Sequence, residues 1–425
     1  MKKRNRLLPM LLAVLLALGG CAFPGGEMSS MLSPPSLSVG REALTRELNS
    51  IIGEDYELIA PKSGSYRTAI ISKDINGDEQ NEAVCFYRAS GKIRFLVMEN
   101  TAESWRCLSG GESEAASIGQ VNFGDLTGDG VAEVIVGWQY LTESEGSYDV
   151  YSLLKERAIS VQSGLYKHMV VVERENDPDG LVVLNRNTAT KAVTASLVRR
   201  NEQTISVVNS VAMNERATDY LNILSAETSR GASAVYVDEL LENGQVQTEI
   251  LVINDQGRLT NELLSQLNSA TLRNSAIVCR DYDGDGVPEV PVEEALPSYY
   301  RNGVEENLFL IQWNTFDGAQ LSPRSHSFVD TTEKFMLNYP AEWYGKITVR
   351  RSEENERAYE FLTMKGKKIF TIRVYGLSEY SETLGNEGWR KLYSDSDHVY
   401  VVYCEAKNSY KVDYAKVYSL FTAIV

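Results

Sequence analysis

Histidine and basic residues are scarce in this sequence. The 425 residues include three histidines, His168, His326 and His398, which are too few and too scattered to predict His-based catalysis or a His-rich metal site. Lys and Arg number 42 against 58 Asp and Glu, so the formal net charge at pH 7 is −16. Because nucleic acids bind basic surfaces, this balance argues against a nucleic-acid partner.

The apolar run near the N-terminus is too short to span a membrane. Leu7–Leu18 falls well below the roughly 20 residues that a spanning helix needs. Four basic residues precede this run, and it ends in Leu-Gly-Gly-Cys at positions 18–21. The segment resembles the lipobox of bacterial lipoproteins, which implies a signal peptide over residues 1–20 and a lipid on Cys21.

Residues 21–40 are rich in Gly, Pro and Ser, which is typical of a flexible tether. Folded structure is expected from Arg41 onward, beginning with a helix over Arg41–Ile51. A lipidated Cys21 would place the protein at the cell membrane, on the extracytoplasmic side. The acidic body then contacts the bilayer through its anchor and not through lipid headgroups.

Cysteine is sparse beyond the lipobox, with Cys85, Cys107, Cys279 and Cys404 remaining. Cys85 and Cys107 belong to the same predicted repeat, so a disulfide between them is one alternative. Their spacing matches no known disulfide framework, which favours buried free thiols.

Motifs that identify common enzyme classes are absent. The sequence has no Gly-x-Ser-x-Gly, His-Glu-x-x-His, Cys-x-x-Cys, phosphate-binding loop or Gly-x-Gly-x-x-Gly. We therefore expect the protein not to be an enzyme.

A repeated acidic segment organises the middle of the chain. Asp74–Glu82, Asp125–Glu133 and Asp281–Glu289 share one pattern of Asp, Gly and Glu. The first two begin 51 residues apart, and the third begins 156 residues later, which is three steps of 52. This period predicts two further units near positions 177 and 229, where Asp177-Pro-Asp-Gly180 and a Ser-Arg-Gly turn occur.

Each unit reads as four antiparallel strands, with the acidic loop between the first and second. The predicted first strands are YRTAIIS, IGQVNFG, HMVVVE, YLNILSA and SAIVCR. Four strands at this period are typical of a β-propeller blade, although a β-sandwich remains the alternative. The predicted fold is therefore mainly β. An N-terminal helix and a propeller of about five blades occupy residues 41–323, and a small α+β domain occupies residues 324–425.

The spacing of the acidic loops suits a hard cation of calcium size. Side-chain oxygens at positions 1, 3, 5 and 9, with a carbonyl at 7, can surround the ion. The predicted Ca²⁺ ligands are Asp74, Asn76, Asp78 and Glu82 in the first loop, Asp125, Thr127, Asp129 and Glu133 in the second, and Asp281, Asp283, Asp285 and Glu289 in the third. The third loop has four carboxylates and is expected to bind most tightly.

These loops are not expected to be EF-hands, because position 12 lacks Glu and strands flank them in place of helices. The pattern resembles the calcium loops of FG-GAP and VCBS-type repeats, as in the integrin propeller. That resemblance covers roughly residues 56–323 and implies a propeller with structural Ca²⁺. Loop one departs from it, because Glu79 stands where the family usually has Gly. The units at 177 and 229 have lost ligands and are expected not to bind.

The opposite rim of the predicted propeller carries aromatic residues and one arginine that are suited to ligand contact. They are Trp138, Tyr140, Tyr299, Tyr300 and Arg301. In the C-terminal domain we predict helices over residues 378–394 and at the end of the chain, where Tyr414, Val417, Tyr418, Phe421 and Ile424 share one face.

Together these patterns predict a membrane-anchored, non-catalytic module that binds a protein or a cell-wall glycan. One alternative is a glycosidase-like enzyme with its site in the propeller funnel, and another is a passive envelope assembly component. The enzyme would require two carboxylates facing each other in a central cavity, about 5 to 10 Å apart. A binding module would instead show an exposed aromatic patch on one rim.

Overall fold

The computed structural model describes residues 39–101, 104–141, 145–154, 157–175, 177–262, 270–381 and 387–424. The predicted signal peptide, Cys21 and nearly all of the tether lie outside the described residues. Within them, no helix has both the length and the apolar character needed to cross a bilayer.

The described residues form two compact units. The first contains residues 39–56 and the described part of 100–106, and its main element is helix α1 (Val39–Ile52). Leu44 and Leu48 are buried in this helix, one turn apart. The helix begins two residues before the predicted Arg41, so the last two tether positions are helical. The second unit contains the rest of the described chain.

The second unit is mainly β and is built from small antiparallel sheets. The first four sheets follow one another along the chain. Sheet 1 contains β1 (Glu57–Leu58), β2 (Ile70–Lys73), β3 (Glu82–Ala89), β4 (Lys92–Asn100) and β5 (Trp105–Ser113). Sheet 2 contains β6 (Ser117–Gly124), β7 (Glu133–Gln139), β8 (Gly146–Leu154) and β9 (Arg157–Tyr166). Sheet 3 contains β10 (His168–Val172), β11 (Gly180–Arg186), β12 (Val193–Asn201) and β13 (Thr204–Ala212). Sheet 4 contains β14 (Ala217–Glu227), β15 (Ser233–Leu241), β16 (Val246–Ile253) and β17 (Leu259–Asn261).

Two further five-stranded sheets and a hairpin complete the described part of the fold. Sheet 5 contains β18 (Glu289–Ala295), β21 (Phe309–Phe316), β22 (Leu321–Asp330), β23 (Phe335–Tyr339) and β29 (Phe421–Ala423). The hairpin between β18 and β21 consists of β19 (Tyr299–Arg301) and β20 (Val304–Glu306). Sheet 6 contains β24 (Ile347–Arg351), β25 (Ala358–Thr363), β26 (Lys368–Gly376), β27 (Arg390–Ser394) and β28 (His398–Cys404). Helix α2 (Tyr414–Leu420) precedes β29.

Consecutive sheets pack face to face through shared apolar clusters. Val84 of sheet 1 and Val136 of sheet 2 belong to one cluster, and Ile135 of sheet 2 shares another with Leu181 of sheet 3. Further clusters join sheets 3 and 4, sheets 4 and 5, and sheets 5 and 6. The second strands of sheets 2 to 4 lie between neighbouring sheets, so nearly all their side chains are buried, and this explains their continuous apolar sequences.

The predicted first strand of the fifth unit, SAIVCR, is wrong. Only an isolated bridge between Arg280 and Glu289 forms there. Side chains bind the backbone of this segment in place of a strand partner: the Glu293 carboxylate accepts the N–H of Ser275, and Asp238 accepts the N–H of Cys279. The competing side-chain partners therefore prevented a strand that the apolar pattern alone favours.

The C-terminal region differs from its prediction in three places. The predicted domain boundary after residue 323 falls inside β22, which pairs with both β21 and β23. Arg390–Ser394, predicted as helical, is strand β27 paired with β28. The final helix ends at Leu420, because Phe421 begins β29 and pairs with β23. Long-range strand pairing overrode the local helical periodicity at both sites.

The four cysteines are free thiols in the described structure. Cys85 and Cys279 are buried, whereas Cys107 and Cys404 are partly exposed. Burial raises the pKa of the Cys85 thiol to about 12, which keeps it protonated and unreactive at neutral pH.

Candidate metal-binding loops and ligand cavities

The acidic loops occupy equivalent places in their sheets. The first joins β2 to β3, the second joins β6 to β7, and the third leads into β18. In each loop the Asp at position 1 accepts backbone N–H groups from positions 4 and 6. In the third loop, Asp281 accepts the N–H of Gly284 at 2.6 Å and that of Gly286 at 2.9 Å. This bonding curls the backbone of each loop around the carboxylate at position 1.

The third loop brings three carboxylates together. Asp281, Asp283 and Asp285 each offer an oxygen, and these oxygens all lie within 4.8 Å of one another. All three residues are exposed. Arg324 approaches Asp285 at 3.6 Å and offsets part of this negative charge.

The glutamate at position 9 is buried in all three loops. Glu82, Glu133 and Glu289 are each at most 2% exposed. One carboxylate oxygen of each accepts the backbone N–H of loop position 2, from Ile75, Leu126 and Tyr282 respectively, at 2.8 to 2.9 Å. The other oxygen of Glu289 is buried and has no hydrogen-bond partner among the described residues.

These glutamates carry negative charge at a cost. The pKa of Glu133 is raised to about 8, mainly by burial and also by the charges of Asp129 and Asp125, while the hydrogen bond from the Leu126 N–H opposes the rise. Burial and the loop aspartates raise the pKa of Glu82 and Glu289 in the same direction. A cation beside these carboxylates would offset both effects, because it favours their ionised form.

Glu79 adopts the conformation that glycine has in the other two loops. Its φ is 67°, compared with 86° for Gly130 and 89° for Gly286 at the equivalent position. The departure from the family pattern therefore leaves the turn geometry intact. It costs roughly 1 kcal/mol, because a side chain disfavours the left-handed region.

The unit at position 177 uses the carboxylate of Asp179 for structure. One Asp179 oxygen accepts the N–H of Asp125 at 2.9 Å, and the other accepts the N–H of Arg174 at 3.1 Å. The carboxylate thus fastens the second acidic loop to sheet 3. In the unit at 229, the backbone N–H of Ser229 donates to the carbonyl of Phe316 in sheet 5.

The structure separates the predicted ligand-contact residues. Trp138 is fully buried, and its indole N–H donates to Asp149 at 2.9 Å, so it belongs to the core and not to a contact surface. Tyr140 packs at the edge of the same core.

The other three candidates lie on the β19–β20 hairpin. The Tyr299 hydroxyl donates to Glu306, and Arg301 forms an ion pair with the same carboxylate at 2.6 Å. Both residues therefore support the hairpin. Tyr300 is 70% exposed, and the neighbouring Val304 is 63% exposed, so this aromatic contact surface is much smaller than the sequence predicts.

Two cavities lie along the first strands of sheets 3 and 4. One, of about 360 Å³, opens near the loop ends of β10 and β14, and Glu173 and Glu227 line it. The other, of about 350 Å³, lies further along the same strands and is also lined by β6 and by residues 63–65. Sequence reasoning did not identify either cavity, because the lining residues come from different units.

A buried acidic pair in sheet 4 was also missed. Glu239 and Glu249 have no exposed surface. The register places Gln247 opposite Glu239 and Glu249 opposite Val237, so the two glutamates are diagonal neighbours on the face toward sheet 3. Burial raises the pKa of Glu239, and the charge of Glu249 raises it further. The sequence signal that could have revealed this pair is the alternation in VDELL and VQTEI, which places Glu239 and Glu249 on an otherwise apolar face of their strands.

Comparisons with known proteins add little. The sequence matches no family model, and no curated protein is significantly similar to it. Among solved structures, the Dos1 propeller is similar over 72% of this chain and 67% of its own, at 9% identity and a TM-score of 0.32. An α-L-arabinofuranosidase from Podospora anserina, in complex with cellotriose, covers 62% of this chain and 89% of its own, at 9% identity and a TM-score of 0.23. A protein from Lactobacillus plantarum is similar over 66% of this chain and 91% of its own, at 10% identity and a TM-score of 0.18. TM-scores this low do not support assigning a blade number or an activity to this chain.

Proposed function

We propose that this protein is a lipid-anchored, extracytoplasmic binding module of the FG-GAP and VCBS type, whose sheets 1 to 5 form propeller blades held by structural Ca²⁺. It binds a protein or a cell-wall glycan without catalysis. Two observations carry the calcium assignment: a buried glutamate at position 9 of all three loops, and three converging carboxylates in the third loop. A buried carboxylate without a cation is unfavourable, and these loops supply the oxygen ligands that Ca²⁺ prefers.

The rival glycosidase function has one observation in its favour. Glu173 and Glu227 line the same cavity between sheets 3 and 4, as a carboxylate pair would have to do. Both residues are exposed, however, whereas a general acid works from an apolar environment that keeps it protonated. The binding function therefore agrees better with this cavity.

Adding Ca²⁺ should raise the melting temperature of the full-length protein. At about 5 mM Ca²⁺, a site with a dissociation constant of about 0.1 to 1 mM stabilises the folded state by about 1 to 2 kcal/mol. Each kcal/mol corresponds to about 1 °C in a protein of this size, because the entropy of unfolding grows with chain length. A thermal-shift titration in detergent, starting from protein treated with a chelator, measures the effect.

The double variant Asp281→Ala with Asp285→Ala should lose most of the Ca²⁺ response. Asp177→Ala is the matched control, because it removes an exposed loop acid that forms an ion pair with Arg174 and is no predicted ligand. A flat titration of the wild-type protein, or an unchanged response in the double variant, would contradict the calcium assignment.

Replacing Cys21 with Ser should release the protein from the membrane. Without the thiol no lipid can be attached, and a signal-peptide region alone gives no stable anchor. Fractionation of bacterial cells should find the wild type with membranes and Cys21→Ser in the soluble extracytoplasmic fraction. Equal membrane retention of both forms would overturn the proposed anchoring. Cys107→Ser is the control, because it also removes a partly exposed thiol.

A further inference from the structure

The cavity that β6, β10 and β14 share has an unusual lining for so acidic a protein. Its volume is about 350 Å³, and none of the described residues that line it is Lys, Arg, Asp or Glu. The polar side chains that line it are Ser63, Ser65, Gln120, Asn122, His168 and Asn222. A cavity of this size can hold one or two sugar rings, and an uncharged lining favours an uncharged ligand.

Backbone groups add to this hydrogen-bonding capacity. β6, β10 and β14 are each the edge strand of their sheet, so one row of their peptide groups has no strand partner in that sheet. Residues around Ser63 cover part of the β6 edge, because the Ser63 N–H donates to the carbonyl of Gly119 at 2.8 Å. Gln120 reaches across the cavity wall and donates to the carbonyl of Met169 at 2.6 Å.

Two lining side chains have polar atoms that are buried and have no hydrogen bond within the described structure. They are Nδ2 of Asn122, on β6, and Nε2 of His168, on β10. Asp219 is the nearest acid to His168, at 4.0 Å from Nε2. Burial and the neighbouring charge of Lys167 lower the pKa of His168, so its ring is neutral at physiological pH. Buried polar atoms normally have partners. Both atoms are almost inaccessible from the cavity, so a ligand with hydroxyl groups would supply these partners once the two side chains rotate toward it.

An aromatic surface borders these atoms. The rings of His168 and Tyr220 pack edge to face, with 5.2 Å between centroids. Tyr220 also lines the cavity. Sugar rings combine hydroxyl groups with apolar C–H faces, and such faces pack against aromatic rings.

We propose that this cavity is the binding site of a neutral saccharide, which Asn122 and His168 recognise by hydrogen bonds and Tyr220 contacts through its ring. This inference rests on the proposed binding function and specifies its ligand as a glycan and not a protein. The net negative charge of the chain and the absence of cations from the lining disfavour acidic glycans.

Isothermal titration calorimetry of the full-length protein in detergent tests the site. The probes are two neutral disaccharides, maltose and N,N′-diacetylchitobiose, and two charged sugars, glucuronate and glucosamine. We expect a neutral disaccharide to bind, and Asn122→Ala and His168→Ala each to weaken binding at least about tenfold, as the loss of one well-placed hydrogen bond does. Gln162→Ala, on β9 and not part of the lining, is the control.

Melting temperatures of the variants separate loss of binding from loss of folding. Asn122→Ala removes no protein hydrogen bond of Nδ2, so its melting temperature should match that of the wild type. The proposed site would be overturned if neither neutral disaccharide bound at a concentration of about 10 mM, because a dissociation constant above that value corresponds to negligible affinity. Unchanged affinity in both variants, or tighter binding of a charged sugar, would do the same.

Two further readouts keep the proposals distinct. If Ca²⁺ stabilises the protein while neither disaccharide binds, the saccharide site fails and the calcium-supported module stands. If the bound disaccharide is hydrolysed, the site stands and the non-catalytic function fails.

Discussion

Replacing Glu239 with Gln should stabilise the protein increasingly as the pH rises. The gain in unfolding free energy, relative to the wild type, should be small at about pH 5 and grow by about 1.4 kcal/mol for each further pH unit up to about pH 8. Urea unfolding of both proteins at several pH values measures it. The expected effect is large because Glu239 and Glu249 are both fully buried.

The sign follows from the direction of the pKa shifts. An isolated Glu has a pKa near 4.5, and burial raises the pKa of both Glu239 and Glu249 above that value. Between the ordinary pKa and the raised one, the folded state holds a proton that the unfolded state has released. Raising the pH therefore favours unfolding in this window. The amide of a glutamine side chain carries no charge at any of these pH values, so the variant loses the part of this dependence that comes from Glu239 and keeps the part that comes from Glu249.

A shared proton explains the geometry of the pair. Neither oxygen of Glu239 has a hydrogen-bond partner among the described residues, while Glu249 accepts the N–H of Asn214 at 3.3 Å. A proton held between the two carboxyl groups would supply the missing donor. In the Glu239→Gln variant, the side-chain amide N–H can donate to Glu249 in the same way, which is why the substitution preserves the contact.

The other charged or titratable neighbours of the pair are Asp238, on the same strand, and Tyr220, on β14. Glu202→Gln, at an exposed turn between β12 and β13, is the control and should leave the pH dependence unchanged. If the unfolding free energies of Glu239→Gln and the wild type changed in parallel with pH, both carboxyl groups of the wild type would ionise together. That result would contradict the shared proton.

Replacing Arg273 with Met should destabilise the fold by about 3 to 5 kcal/mol, because it leaves a buried carboxylate without its cation. Arg273 and Asp238 are both fully buried and form an ion pair at 2.7 Å. The Arg273 guanidinium also donates to the carbonyls of Ile277 and Thr271 and to the Thr248 hydroxyl. These bonds fasten the irregular segment before the third acidic loop to sheet 4.

Adding Asp238→Asn to Arg273→Met should restore part of the lost stability, because the double variant no longer buries an unpaired charge. Arg230→Met is the matched control. Arg230 also pairs with an aspartate, Asp317, at 2.6 Å, but its side chain is 70% exposed, so its loss should cost about 0 to 1 kcal/mol. Equal effects of Arg273→Met and Arg230→Met on urea unfolding would contradict the structural role of the buried pair.

Local sequence was a reliable guide wherever one unit carried its own signal. The apolar second strands, such as Glu133–Gln139, were predictable because burial on both faces demands continuous apolar residues. The acidic loops were predictable because their bonding is local: Asp281 and the two glycines that donate to it lie within six residues of one another. The calcium assignment and the lipid anchor stay predictions.

The sequence by itself therefore determined the second strands of the units, the acidic loops and the convergence of carboxylates in the third loop, because these depend on neighbours within a few residues. Only the tertiary structure decided that Trp138 is buried, that Arg390–Ser394 is a strand and that Glu239 faces Glu249. It also decided that β6, β10 and β14 enclose one uncharged cavity. Each of these outcomes depends on groups from distant units competing for the same space or the same hydrogen bonds, and a periodic pattern in one segment contains no information about that competition.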